Sequence, residues 1–300
     1  MKKGRKSKKK KSNDNIKLLY FFVGVVLLLG TTLYFLGNKE LKSPSPHTRA
    51  NEVKIKNIPL APKKAEKKVK DLQSEEETPS LPRLAIIIDD IGFTKAYTNL
   101  IRIKLPITYA IIPYTIYSVE AANEATKAGM EVILHLPMEP KAYPEKDPGK
   151  GGLLISMDEN SIINKVREDL DLVPHIKGVN NHMGSRFTEY GRGMKLVLSE
   201  IKKRDLYFID SKTSYKSKAY TIAKGLNIRS AERDVFLDNI QTEEAIEKQL
   251  EEAISIAKEK GEAIAIGHPY ASTIATLSRM APDIKEMGVE LVFASTLTKQ

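Results

Sequence analysis

Two adjacent carboxylates, Asp89 and Asp90, follow directly on the apolar run 84–88 and precede Gly92. An unbroken run of that length, three of its members β-branched, predicts a strand of a sheet covered on both faces. Residues just past the carboxyl end of such a strand lie where α/β folds bind ligands. Side chains alternate along a strand, so the two carboxylates are expected to diverge slightly: one can hold a metal while the other faces substrate. The same pair would also suit an acidic turn that caps the next helix through Asp90 or Thr94.

Other polar residues fall in the same kind of place. The run 132–134 leads into His135 and Glu139, with Pro137 expected to stop that strand. The stretch 178–188 carries Asn180, Asn181, His182 and Arg186. Runs at 206–209, 235–237 and 263–267 deliver Asp210 with Ser211, Asp238, and His268. Parallel strands bring all these ends to one face. His175 is expected on the opposite edge, and His47 sits in a Pro- and Lys-rich stretch, so neither joins the set.

Two imidazoles and a carboxylate are a common donor set for catalytic zinc, with one position left for water. The ion lowers the pKa of that water and stabilises an oxyanion. A second carboxylate can take the water's proton, and a further His can protonate the leaving group. The chemistry is metal-assisted hydrolysis of an amide or ester. No HExxH motif fixes the spacing. For Asp210, Ser211 and Asp238, helix capping and loop hydrogen bonding are the competing roles. Arg186 could bind a carboxylate, orient Asp89 or form a surface ion pair.

Elements that position these groups can be read from periodicity. Strands are expected at 84–88, 107–112, 131–135, 178–181, 206–209, 235–237, 263–267 and 290–293. Helices are expected between them, at 94–101, 118–128, 158–172, 192–203, 216–225, 243–260 and 273–287. Thr242 is a fitting N-cap for the longest, with Glu243 and Glu244 at the positive end of its dipole. The stretch 141–152 is too rich in Pro, Gly and charge for either and is expected to be a surface loop. Such alternation implies a parallel sheet, open or closed into a barrel.

The N-terminal part is organised differently. Residues 1–17 carry nine Lys/Arg and one Asp, so most of the formal charge of +10 lies in a basic tail. The remainder is nearly neutral, and no general nucleic-acid footprint is expected. Residues 18–36 contain no charge, close to the ~20 residues that cross a bilayer as a helix. The preceding Lys block places that end in the cytoplasm, which predicts a retained single-pass anchor in the inner (cytoplasmic) membrane. Residues 37–82, rich in Pro, Lys, Glu and Ser, are expected to form a disordered, flexible linker. The domain 83–300 would then face the periplasm or the cell exterior. There is no Cys, which excludes disulfides, thiolate zinc sites and a lipidated cysteine.

The blocks "IIIDDIG", "ILHLPMEP", "GVNNHMGSRFT", "YFIDSKTS", "DVFLDN" and "AIAIGHPY", in that order, closely resemble the divergent polysaccharide deacetylase family. This is a distant branch of the NodB-like carbohydrate esterases, and the likeness runs from about residue 83 to 297. The resemblance implies a distorted (β/α) barrel and removal of acetyl groups from a polysaccharide or peptidoglycan-like glycan with a divalent metal ion such as zinc. It implies Asp89 as base, His268 as general acid, and Asp90, His135 and His182 as metal ligands. Glu139 stands where those esterases place a second ligand His and is an alternative ligand. Glu139, Asn181, Arg186 and Asp210 are the candidates for substrate contact. The Arg-Pro-Tyr type motif of those enzymes is missing, with Asn180-Asn181-His182 at about its place. The competing readings are an envelope glycan-binding protein without turnover and a small-molecule metal hydrolase.

Overall fold

The computed structural model describes residues 81–300. The basic tail, the apolar segment 18–36 and the linker up to residue 80 lie outside the described residues. Among the described residues, no helix is long and apolar enough to cross a membrane.

Strands and helices alternate along the chain. The strands are β1 (Arg83–Ile91), β2 (Ile107–Ile111), β3 (Glu131–Met138), β4 (Gly178–Met183), β5 (Tyr207–Asp210), β6 (Ser230–Glu232), β7 (Val235–Phe236), β8 (Glu262–Gly267) and β9 (Glu290–Val292). The helices are α1 (Tyr97–Ile103), α2 (Ser118–Lys127), α3 (Glu159–Leu172), α4 (Gly191–Lys203), α5 (Ala219–Gly225), α6 (Glu243–Lys260) and α7 (Ala271–Met280). Thr242 caps α6 by accepting from Ala245 N at 3.3 Å, and Gly261 at φ 85° ends it.

Every strand pair is parallel, in the order β6-β5-β4-β3-β2-β1-β8-β7, with β9 beside the start of β1. The two ends of this sheet, β6 and β7, are separated in sequence only by Arg233 and Asp234. Arg233 N donates to Asp210 O, and Asp234 N donates to Ile264 O. The sheet is thus curled toward a barrel whose seam is spanned by the chain itself.

Alternation gives the curled sheet two apolar faces. Leu84, Ile86 and Ile88 of β1, with Leu134 and Leu136 of β3, pack in the larger core with the helices. Ala85, Ile87, Ile133, Tyr207, Ile209, Ile264 and Ile266 fill the inner core together with Ala294 and Leu297. At the amino ends of the strands, buried Glu131 accepts from Thr108 Oγ1, Tyr207 Oη and Ser295 N. The Glu131 carboxylate is therefore satisfied internally.

Four expectations are corrected. Strand β6 was not anticipated, because three residues with Ser and Glu carry no apolar signal. Pro137 does not stop β3. Its β2 neighbour pairs only as far as Leu134, so the missing N–H interrupts no ladder bond, while Pro137 O accepts from Leu153 N. Helix α1 begins at Tyr97 with no side-chain cap, so neither Asp90 nor Thr94 has the capping role. The last helix ends at Met280 rather than 287.

Candidate metal centre

The inner face changes chemistry at the carboxyl ends of the strands. Counting by twos, Ile87 is followed by Asp89, Ile133 by His135, Ile209 by Ser211 and Ile266 by His268. Phe236 packs against the same inner core and precedes Asp238 by two. Asn180 and His182 share that parity on β4, where they pair in register with His135 and Pro137. Apolar packing below and polar groups above make the top of the curled sheet its polar end.

Strict alternation would send Asp90 outward, and it does not go there. The β1–β2 register shifts between Ile88 and Ile91, a bulge, and Asp90 sits at φ 56°. An extra residue in one strand re-aims the side chains that follow it. Asp89 and Asp90 therefore converge on one site, contrary to the expectation that they diverge. Gly92, at φ 123°, makes this possible. A Cβ there would lie 2.1 Å from Thr115 Oγ1.

Asp90, His135 and His182 each present one donor atom, all within 4.8 Å of one another. His182 Nδ1 is 2.9 Å and His135 Nε2 is 3.2 Å from Asp90 Oδ1. The two ring nitrogens are 3.3 Å apart. Asp90 Oδ1 is buried, yet it accepts no hydrogen bond of good geometry. Donors with bonds of 2.0–2.1 Å around a tetrahedral zinc stand roughly 3.3 Å from each other. The spacing, the donor types and the unsatisfied oxygen fit a zinc-like divalent ion.

Asp89 and His268 flank this trio. Asp89 is 2 % exposed, and its Oδ2 lies 3.5 Å from His135 Nε2 while Oδ1 accepts from Asn180 Nδ2 at 2.7 Å. Burial raises its pKa, against the opposing pull of His135, His268 and the Asn180 bond. Burial acts the same way on Asp90, but the close approach of His135 and His182 outweighs it and holds that carboxyl far below the usual range. Burial lowers the pKa of His135, and the neighbouring Asp89 and Asp90 carboxylates more than reverse this. His268 Nε2 is 3.8 Å from Asp90 Oδ2, and its Nδ1 is 2.8 Å from Asp238 Oδ1. Burial lowers its pKa too, but the bond and charge of Asp238 push it up to about 9.

The other site candidates are placed differently. Glu139 is buried, with Oε2 accepting from Ile155 N at 2.6 Å and Oε1 from Arg186 at 2.9 Å. It pins the loops after β3 and β4 together and is not one of the three clustered donors. Asn181 is turned away from the site: its Nδ2 donates to Met183 O and its Oδ1 accepts from Ser211 N. Asp210 accepts from Lys212 N, Ser217 Oγ and Tyr220 N, an anchor for the following loop and helix. These three, expected at the substrate, have their polar side-chain atoms engaged within the protein. Arg186 pairs with Glu139 and stays half-exposed.

Four residues around the site were missed or discounted. Asn180 bridges His135 and Asp89, and Ser211 Oγ accepts from its amide at 3.2 Å. Asp238 holds His268 and also accepts from Thr273 Oγ1. Arg233, at the seam, donates to Ser211 O and Lys212 O and lies 3.8 Å over the Phe236 ring. Parity was the available signal: once His135 and His182 face inward, Asn180 must and Asn181 cannot.

The sequence profile of divergent polysaccharide deacetylases matches residues 86–298. The uncharacterized protein YibQ of Escherichia coli (strain K12) is 36 % identical over 219 residues, 73 % of this chain and 68 % of its own. An uncharacterized protein of Haemophilus influenzae is 34 % identical over 212 residues, 69 % of this chain and 75 % of its own. Among solved structures, an uncharacterized protein from Agrobacterium tumefaciens C58 superposes with a TM-score of 0.70 at 28 % identity. That match covers 72 % of this chain and 89 % of the other.

Proposed function

Because the chain belongs to the divergent polysaccharide deacetylase family, we propose that it is a metal-dependent hydrolase removing acetyl groups from an envelope glycan. The observation that carries this reading is the convergence of Asp90, His135 and His182, with a carboxylate and an imidazole beside them. Asp90, His135 and His182 would hold the ion. When bound, a divalent ion lowers the pKa of water and polarises the acetyl oxygen.

The chain's own residues supply the proton transfers. Asp89 has its Oδ1 engaged by Asn180 and its Oδ2 directed to the site, so Oδ2 accepts the proton of the attacking water. Burial, which raises the pKa of Asp89, makes it a better base than an exposed carboxylate. The water oxygen bonds to the acetyl carbon, and the carbon–nitrogen bond then breaks. His268 Nε2, with Nδ1 held by Asp238, donates a proton to the departing amine. Acetate and a free amine leave.

The uncharged run 18–36 after a basic block supports single-pass anchoring, with the domain outside the cytoplasm. A reporter fused after Gln300 should be active outside the cytoplasm, and high salt should not release the protein. The activity is tested by acetate release from N-acetylated glycan fragments with zinc and other divalent ions supplied. Metal and glycan binding without acetate under any of these ions would replace the hydrolase by a binding protein.

A further inference from the structure

Asn180 is fully buried, and its amide has only one satisfactory orientation. Its Nδ2 lies 2.7 Å from Asp89 Oδ1 and 3.2 Å from Ser211 Oγ, and its Oδ1 lies 2.7 Å from His135 Nδ1. Turning the amide over would set its oxygen against a carboxylate oxygen, and neither can donate. Oδ1 therefore faces the imidazole. An amide oxygen only accepts, so Nδ1 of His135 must carry a proton. In the neutral ring the lone pair is then on Nε2, the nitrogen that faces Asp90 and His182.

We propose that Asn180 is a positioning residue that holds His135 in the one tautomer able to bind the metal and ties this ligand to Asp89 through a single amide. The proposal rests on the metal-site reading above. It extends that reading, because the proton acceptor and a metal ligand are then oriented by the same side chain. Asp and Leu have the same number and branching of side-chain heavy atoms as Asn and separate its two functions. Asp keeps an acceptor for His135 Nδ1–H and shares one proton with Asp89 Oδ1 across the contact that the amide made, whereas Leu keeps neither bond.

The test is zinc affinity of the full-length protein by competition with a chelator, zinc alone being the probe. Asn180→Leu should lower the affinity about 10–100-fold, the usual range for losing a group that orients a metal ligand. Asn180→Asp should hold it within about tenfold. In zinc-loaded wild type, the His135 Nδ1–H resonance should be seen and exchange slowly. It should be lost in Asn180→Leu and return in Asn180→Asp, a pattern that general loosening of the fold would not produce. Wild-type affinity in Asn180→Leu, or equal losses in both variants, would overturn the proposal. Nitrogen shifts showing zinc on Nδ1 of wild-type His135 would overturn it even if Asn180→Leu failed to fold. So would absence of zinc binding by the wild type. None of these readouts needs acetate release, so an inactive chain that binds zinc in this way sinks the hydrolase reading alone.

Discussion

Asp238 grips His268 at two points: Oδ2 accepts from the His268 backbone N–H at 2.5 Å, and Oδ1 lies 2.8 Å from its Nδ1. The imidazole is thereby fixed with Nε2 toward Asp90. Its pKa is pushed up to about 9 against an ordinary value of 6.5, because the Asp238 bond and charge outweigh burial. A raised histidine pKa means that the folded state binds the extra proton. The stabilisation is present in full below pH 6.5 and is lost as pH rises through about 9. In chelator-treated protein, the thermal midpoint should fall across that window, and Asp238→Asn should flatten the fall. Under the proposed hydrolase activity the same variant should move the alkaline limb of the rate profile to lower pH. An unchanged limb would remove Asp238 from the proton-donor assembly.

Asp169 poses the opposite problem. It is buried in α3, and neither carboxylate oxygen has a hydrogen-bond partner of good geometry. Burial, opposed by Lys165 and reinforced by Glu168, raises its pKa from 3.8 to about 8. The folded protein therefore holds a proton that the unfolded chain has lost, and stability falls as pH rises from about 4 to about 8. Asp169→Asn removes the charge. It should raise the thermal midpoint at pH 8 by several degrees, each kcal/mol being worth about 2–4 °C in a domain of this size. The gain should shrink toward pH 5. A gain of equal size at both values would mean that ionisation of Asp169 is not its source.

The bulge in β1 makes a prediction through Gly92. At φ 123° any side chain is strained, and a Cβ would meet Thr115 Oγ1, which itself donates to Ile112 O. Gly92→Ala should cost about 1–3 kcal/mol and should also weaken metal binding, since the turn it disturbs aims Asp90. Gly129, at φ 79° with nothing within 4 Å of a built Cβ, is the control. Gly129→Ala should lower the thermal midpoint and leave metal affinity alone. If both variants bind metal like wild type, Gly92 does not set the Asp90 geometry.

Much of this arrangement was legible because two periodicities are strong. The apolar run before Asp89 and the 18-residue helix Glu243–Lys260 with its Thr242 cap are long signals that tertiary packing has no cause to override. His135 and His268 could be placed because each follows an apolar run on a strand, whereas His182 follows only Gly178-Val179-Asn180-Asn181 and was placed by the alternation of elements around it. The bulge was not legible, since Asp89-Asp90-Ile91-Gly92 reads equally as a turn. Glu139 and Asp210 look like site residues in sequence, yet loops fold over them and use every oxygen. The three residues of β6 acquire their strand only from pairing with β5. Asn180 and Asn181 differ only in parity, and parity is known only once the inward face is known.

The proposed separation of base, ligands and acid gives the most discriminating prediction. Asp89 is tied by Asn180 and stands outside the trio, so Asp89→Asn, whose amide oxygen still accepts from Asn180, should keep the metal. It should lose activity by about 10²–10⁴, the usual worth of a positioned base. Asp90 Oδ1 is the atom to which both imidazoles converge, so Asp90→Asn should lose metal and activity together. His182→Ala, which removes a second donor, should do the same. His268 is 3.8 Å from Asp90 Oδ2 and bound to Asp238, so His268→Ala should leave metal content near wild type. Its rate should fall most for amides, whose leaving amine needs a proton, and least for activated esters. Metal stoichiometry measured beside acetate release across these variants distinguishes the roles. Loss of metal in Asp89→Asn would make Asp89 a ligand rather than the base. Full activity in His268→Ala toward an amide would leave the leaving group without its assigned donor.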